Sequence, residues 1–221
     1  LDAFDELQSS GDSVSLFTTW RDADAIDQVW VKSRRPAPDL SGLGGRPADG
    51  PRHPIPGIDA QPCTEQGHVP GPWFERLPHF RLAFTPSAGD ELQSEYLVAR
   101  ADAPAAIAAL RGLAPRIAPL LLVSEVRTVA ADDLWLSPAH GTDVVALHFT
   151  WRREPDAVTA LLPAIEEALP ASARPHWGKL FTLAGDALKA RYPRWDDFRD
   201  LRARRDPAGR FANDWIARLG L

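Results

Sequence analysis

The chain has 221 residues, 44% of them hydrophobic and 25% charged, which is typical of one sizeable globular domain with room for a fragment of another. A net charge of −5 offers no basic surface for a nucleic acid, and no apolar stretch approaches the roughly 20 residues that cross a bilayer. The one cysteine, Cys63, excludes an internal disulfide and fits a reducing compartment, so we expect a cytoplasmic protein. Because the sequence begins at Leu1 and has no methionine, we expect a piece of a longer translation product.

The first third of the chain predicts two strands and then a long irregular segment. Residues 1–8 are typical of a short helix, and residues 14–18 and 28–32 have the β-branched and aromatic side chains of strands. Residues 33–78 contain ten prolines and seven glycines, and the prolines fix φ angles and remove hydrogen-bond donors. We therefore expect no long helix or strand there, but an ordered loop rather than a flexible linker.

The rest of the chain alternates strand and helix patterns. Strands are predicted at 80–85, 92–98, 120–129, 144–151 and 176–183, and helices at 104–117, 155–169, 185–191 and 195–205, with a turn at 206–209 and a short terminal helix. Asp102 is expected to cap the first long helix, and Pro155 is expected to open the second. Hairpin-like neighbouring strands, without a glycine-rich nucleotide fingerprint, predict the α+β class.

Two of these strands carry polar side chains two residues apart. Because alternate residues of a strand share a face, Glu125 lies beside Arg127, and His148 lies beside Thr150. If the strands align in one sheet, their groups converge on a patch that suits a polyol, which needs both donors and acceptors. The alternative is an ion pair and a hydrogen-bonded histidine on an exposed face. His79, beside the proline-rich segment, has no metal-ligand spacing, and we predict no metal site.

A second candidate lies in the tetrapeptide His-Trp-Gly-Lys at residues 176–179. The chain has only three lysines among its 25 basic residues, so Lys179 represents a specific choice of an ammonium group. The alternative is a packing tryptophan, a turn at the glycine and a solvated lysine. The sequence has no Gly-x-Ser-x-Gly elbow and no phosphate loop, so nothing in it favours a hydrolase.

These motifs resemble, in sequence order, the alditol oxidase and aldonolactone oxidase branch of the vanillyl-alcohol-oxidase flavoproteins. The resemblance extends to the blocks at 53–57, 63–66, 69–73, 91–96, 135–138 and 206–211. Such proteins have an N-terminal domain that holds FAD and a substrate domain with a large, mainly antiparallel sheet flanked by helices. The resemblance implies that residues 1–178 are the substrate-binding (cap) domain without its first elements. It also implies that residues 179–221 return to the flavin domain, and that the N-terminal FAD-binding domain is missing from the chain.

The resemblance further implies an activity. It is the oxidation of the terminal hydroxyl of an alditol, such as xylitol or sorbitol, to the aldose, with FAD as cofactor and O2 reduced to H2O2. Arg127 and Lys179 would be the catalytic residues beside the reacting oxygen, and Glu125, His148 and Thr150 would bind the neighbouring hydroxyls. The expected partners are a small polyol or sugar lactone, O2 and the missing flavin domain, without which the chain is expected to be inactive. The alternatives are a sugar-1,4-lactone oxidase and a stand-alone, non-catalytic polyol-binding module.

Overall fold

A computed structural model describes residues 2–36, 38–84 and 91–221. The strands are β1 (Ser13–Thr18), β2 (Gln28–Lys32), β3 (Leu92–Ala99), β4 (Leu121–Val129), β5 (Val144–Trp151) and β6 (Arg174–Pro175). They form one six-stranded sheet in the order β2-β1-β4-β5-β3-β6, and every neighbouring pair is antiparallel. The predicted α+β class and the expected antiparallel sheet are confirmed.

The helices are α1 (Phe4–Gln8), α2 (Ala103–Ile117), α3 (Pro155–Ala168), α4 (Gly185–Lys189), α5 (Trp195–Arg205) and α6 (Asp214–Leu219). Both long helices have a proline in their first turn. Backbone N–H groups in the first turn have no acceptor within the helix, so the missing N–H of proline costs no hydrogen bond there. Asp102 is the residue before α2, but its side chain does not cap the helix and instead accepts a hydrogen bond from Ser172 Oγ at 2.6 Å. The polypeptide between α3 and β6 is thereby tied to the start of α2.

One side of the sheet packs against α2 and α3. Leu147, Phe149 and Trp151 alternate along β5, are fully buried, and belong to the same core as Leu110 of α2 and Ile165 of α3. The two aromatic rings stack with their centroids 5.0 Å apart. Each such side chain contributes about 1.5–3 kcal/mol by leaving water. The helix-facing side of the sheet is thus the stabilising core, and the intervening residues of β5 point to the other side.

The proline-rich segment folds back onto the first two strands. Its regular structure within the described residues is limited to two single-turn 3₁₀ helices, Ser41–Leu43 and Trp73–Glu75, as the proline content predicted. At the end of β2, Lys32 Nζ donates to the backbone oxygens of Arg76, at 2.7 Å, and Pro78. Thr64 Oγ1 also donates to the oxygen of Pro78, at 2.7 Å. These bonds hold the end of the segment against the sheet.

The strand predicted at 80–85 does not form. Phe80 makes one isolated bridge to Cys63, after which the N–H of Phe84 bonds to the oxygen of Arg81 at 3.0 Å and closes a turn. Prolines at 78 and 86 leave only a short run between them, and its backbone bonds close locally. Thr85, the end of that prediction, lies outside the described residues.

The strand predicted at 176–183 is also wrong, because regular pairing stops with β6. A turn follows, in which the N–H of Lys179 bonds to the oxygen of His176 at 3.1 Å, with Gly178 between them. The polypeptide still runs beside β3, since the N–H of His176 bonds to the oxygen of Glu95 and that of Leu180 to the oxygen of Gln93, both at 2.9 Å. The segment 176–184 is therefore irregular but anchored.

The C-terminal helices join the same core. Leu188 of α4, Trp195 of α5 and Leu219 of α6 are buried in the cluster that contains the sheet residues. A domain boundary at residue 178 stays a prediction. No helix among the described residues has the length and apolar character needed to span a membrane.

Candidate functional site

The side of the sheet opposite α2 and α3 gathers polar side chains from three neighbouring strands. Glu125 of β4 lies opposite His148 of β5, which lies opposite Glu95 of β3. Paired residues of antiparallel strands share a face, so these three side chains form one row. Arg127 and Thr150 lie on the same face, two residues along their strands. The structure thus brings the four predicted strand residues together.

Arg127 lies between two carboxylates. Its Nη1 donates to Glu125 Oε2 and its Nη2 donates to Glu95 Oε1, each at 3.0 Å. Both carboxylates are buried, whereas 37% of the Arg127 side chain is exposed. A guanidinium has five donors, so donors remain for a ligand on the open side.

Lys179 reaches the same row from the irregular segment after β6. Its Nζ donates to Glu95 Oε2 and lies 2.9 Å from His148 Nδ1. Glu95 therefore joins the two predicted catalytic cations, with Arg127 on one carboxylate oxygen and Lys179 on the other. The expectation that Lys179 lies near Arg127 is met through this shared partner, while their catalytic roles stay predictions.

Thr150 lies beside the middle of the row, next to His148 along β5. Its Oγ1 lies 3.1 Å from His148 Nε2, and its backbone is paired with that of Gln93 on β3. The Gln93 side chain faces the same side and makes no hydrogen bond to another described residue. Gln93 and Glu95 were missed as site residues, although both belong to a quoted motif and have the same two-residue spacing as Glu125 and Arg127.

His79 closes the row at the Glu125 end. Its Nε2 lies 3.1 Å from both Glu125 Oε1 and Ser15 Oγ of β1, and its ring packs edge-on against Phe17 and Trp30. His79 was not predicted as a site residue, because its position in the sequence has no metal-ligand spacing. No local pattern could have paired His79 with Glu125, since the contact depends on how the proline-rich segment folds back.

Neighbouring positive charges and hydrogen bonds keep the buried carboxylates deprotonated. Burial by itself raises the pKa of Glu125, but bonding to His79 and the positive charge of Arg127 outweigh it and lower the pKa to about 2. Burial likewise opposes ionisation of Glu95, but the positive charges of Arg127 and Lys179 and the hydrogen bond from Lys179 hold its pKa far below the ordinary range. The pKa of Arg127 is raised, because the two carboxylates outweigh its own desolvation. Glu95, Glu125 and Arg127 are therefore ionised at neutral pH.

This network can bind a neutral, hydroxyl-rich molecule and stabilise a negative charge that develops on it. It offers guanidinium, ammonium, imidazole, hydroxyl and amide groups within one face. No group of three or more metal-binding side chains occurs in the part of the chain that the structure describes. The arrangement is suited to hydrogen bonding and to the stabilisation of negative charge.

Comparison with known proteins identifies the family. Residues 90–219 match the D-arabinono-1,4-lactone oxidase family, so the chain belongs to that family of oxidoreductases. The chain is a homologue of the alditol oxidase of a Streptomyces species, with 51% identity over 219 residues, covering 98% of this chain and 52% of that protein.

Two more distant relatives cover less of the chain. An L-gulono-1,4-lactone dehydrogenase of Mycobacterium tuberculosis is 35% identical over 131 residues, which are 58% of this chain and 30% of that protein. A long-chain alcohol oxidase of an uncultured marine euryarchaeote is 40% identical over 101 residues, which are 42% of this chain and 21% of that protein. The chain spans about half the length of the alditol oxidase and less of the others.

Proposed function

We propose that the chain is the substrate domain of an FAD-dependent alditol oxidase, which oxidises the terminal hydroxyl of a xylitol- or sorbitol-like polyol to the aldose and reduces O2 to H2O2. The observation that carries this proposal is the convergence of Arg127 and Lys179 on Glu95, beside a row of hydroxyl-binding groups. The alditol oxidase relative, which matches 98% of the chain, supports the same substrate class. A cytoplasmic location remains part of the proposal.

Arg127 and Lys179 would act on the reacting oxygen. When the hydride leaves the carbinol carbon, the hydroxyl must lose its proton, and negative charge develops on its oxygen. Two cations already fixed by Glu95 stabilise that charge without having to reorganise. Removal of one such preorganised group typically raises the barrier by about 2.7–4 kcal/mol.

The remaining groups would hold the rest of the polyol. Glu125 is ionised and can accept hydrogen bonds from hydroxyl groups, whereas His148 and Thr150 lie beside it on the same face. A polyol presents several hydroxyls in a chain, each of which both donates and accepts. Such a row of mixed donors and acceptors would hold these hydroxyls, with the terminal carbon at the cations.

The site fits one part of FAD only. When bound, FAD would supply a two-electron acceptor for the hydride and a route for the electrons to O2. Arg127 and Lys179 would position the reacting end of the polyol for hydride transfer to the flavin. Neither α2 nor α3 begins with a glycine-rich turn that could bind phosphates, since both have a proline in the first turn. Neither of these two helices therefore offers a site for the pyrophosphate.

Sugar lactones are the second candidate substrates. The name of the matching family and the L-gulono-1,4-lactone dehydrogenase relative both favour a lactone. A lactone ring has fewer free hydroxyls than an open-chain alditol, so it would use fewer of the groups in the row. Glu125 and His148, which add an acceptor and an imidazole to the row, favour the polyol.

Substrate oxidation by the full-length, flavin-loaded protein distinguishes these alternatives. H2O2 release would be measured with xylitol, sorbitol, a gulonolactone and an arabinonolactone. The proposal predicts the highest kcat/KM for an alditol, and Glu125→Gln should raise KM for it. Preference for a lactone would favour the second candidate. Binding of a polyol without any turnover would indicate a non-catalytic binding module.

A further inference from the structure

Two side chains compete for one nitrogen of His148. Lys179 Nζ lies 2.9 Å from Nδ1, and Glu95 Oε2 lies 3.3 Å from the same atom. A neutral imidazole has one N–H and one unprotonated nitrogen. A bond to Lys179 requires Nδ1 to accept, whereas a bond to Glu95 requires Nδ1 to donate. The neutral ring can make only one of these bonds.

The geometry favours the bond from Lys179. An ammonium can only donate, and the Lys179 contact is the shorter of the two. The same ammonium donates to Glu95 Oε2, so a proton donor already lies at the carboxylate oxygen that faces the ring. Nδ1 is then unprotonated, and the ring proton is on Nε2, 3.1 Å from Thr150 Oγ1.

The tautomer of His148 determines whether the Thr150 hydroxyl accepts or donates in the hydrogen bond between the two side chains. Because Nε2–H donates to Thr150 Oγ1, the threonine hydroxyl must point its own proton elsewhere. No other described residue accepts a hydrogen bond from this hydroxyl. The proton is therefore available to an oxygen atom of a ligand on the polar side of the sheet.

We propose that Glu95 is a positioning residue: it holds Lys179 against His148, fixes the imidazole as its Nε2–H tautomer, and so makes Thr150 a hydrogen-bond donor to the bound ligand. The ligand atom at Thr150 is then an oxygen lone pair. That this oxygen belongs to a polyol rests on the proposed function. The polarity of the network, meaning the donor-to-acceptor direction of its hydrogen bonds, depends only on Glu95, Lys179, His148 and Thr150.

Substitution of Lys179 should reverse this polarity. In Lys179→Met, no ammonium donates to Nδ1, while the Glu95 carboxylate remains 3.3 Å away as a charged acceptor. The ring proton should move to Nδ1 and bond to Glu95. Nε2 then accepts from Thr150, whose hydroxyl proton turns inward and is lost to the ligand.

Imidazole ¹⁵N NMR spectra test the proposal without substrate or turnover. The full-length protein, labelled with ¹⁵N-histidine, would be measured at rising pH until the His148 signals no longer shift, so that the neutral ring is observed. His148→Gln identifies the His148 signals. His53 is an internal reference, because its Nδ1 accepts from the N–H of Ile55 at 3.0 Å, which fixes the Nε2–H form in correctly folded variants.

The expected results are an Nε2–H ring at His148 in the wild type and an Nδ1–H ring in Lys179→Met. Glu95→Gln should give an average of the two forms, since Lys179 loses its anchor and Nδ1–H loses its charged acceptor. An Nδ1–H ring in the wild type, or the same form in the wild type and Lys179→Met, would overturn the proposed polarity. A pure Nε2–H ring in Glu95→Gln would overturn the role of Glu95. These outcomes leave the choice between alditol and lactone to the oxidation assay.

Discussion

Two buried carboxylates, Glu95 and Glu125, hold Arg127 between them on the polar side of the sheet. Removing Arg127 would take a cationic partner from both buried carboxylates, and breaking such a buried pair costs about 3–5 kcal/mol. The exposed edge of Arg127 is the part that a ligand can reach. The same contacts that stabilise the fold therefore also set the orientation of the proposed catalytic cation.

Acid should weaken the fold through Glu125. Its pKa falls from 4.5 to about 2 on folding, so its contribution, of the order of 3 kcal/mol, is complete above about pH 4.5 and lost as the pH falls towards 2. Glu125→Gln removes this titration and should flatten the fall. The free energy of unfolding, measured by denaturant titration across this range, checks the prediction, with exposed Glu65→Gln as the control. An equally steep fall in Glu125→Gln would contradict it.

The strand residues of the site could be predicted because a strand repeats every two residues. That period alone places Glu125 beside Arg127 and His148 beside Thr150, whereas their roles in the site came from the family resemblance. His79 could not be predicted in this way, because its contact with Glu125 joins residues 46 positions apart through an irregular segment. Its position depends on backbone bonds such as those of Lys32, which have no sequence period.

At the scale of elements, the irregular segment 176–184 places Lys179. Beyond its two backbone bonds to β3, it is held by Glu166 of α3, which accepts from the N–H of Thr182 at 2.7 Å and from the Thr182 hydroxyl. The other partner of Glu166 is the fully buried hydroxyl of Tyr96, at 2.8 Å. A carboxylate on a core helix thus fixes the loop that carries the ammonium.

Replacing Glu166 by alanine should loosen this segment. It would leave the Tyr96 hydroxyl and two donors of Thr182 without a partner, each at a cost of about 1–3 kcal/mol when buried. We expect a loss of about 3–5 kcal/mol in the free energy of unfolding, together with faster amide exchange around Thr182. Exposed Glu167→Ala is the matched control and should change stability by less than about 0.5 kcal/mol. Equal effects of the two variants would show that the Glu166 contacts contribute little.

The elements with strong periodicity were predicted well. Strand β5 and the long helices α2 and α3 agree with their predicted bounds to within one residue. The two failed strands were apolar runs beside prolines or a glycine, where local turns satisfied the backbone more readily than a sheet edge did. Whether a segment forms a turn or pairs as a strand depends on which strand edge of the sheet is free, and the order of strands in the folded sheet determines this.

At the scale of the whole molecule, the 221 residues cover 52% of the alditol oxidase relative. The polar face supplies groups for a substrate, whereas the sequence has no phosphate loop. We therefore expect the purified 221-residue chain, incubated with FAD and then desalted, to be colourless. Retention of one flavin per chain, seen in the visible absorbance spectrum, would contradict this division of roles.

The most direct test of the account is anaerobic flavin reduction in the full-length protein, with wild type and Lys179→Met mixed rapidly with xylitol or sorbitol. An ammonium interacts more strongly with a forming alkoxide than with a neutral hydroxyl, so its loss falls mainly on the transition state. We predict a limiting reduction rate about 10²-fold or more below that of the wild type, with a much smaller change in apparent Kd. Lys189→Met, which alters a surface lysine paired with Asp196, should leave both values unchanged. Reduction of Lys179→Met at the wild-type rate would contradict the catalytic assignment of Lys179.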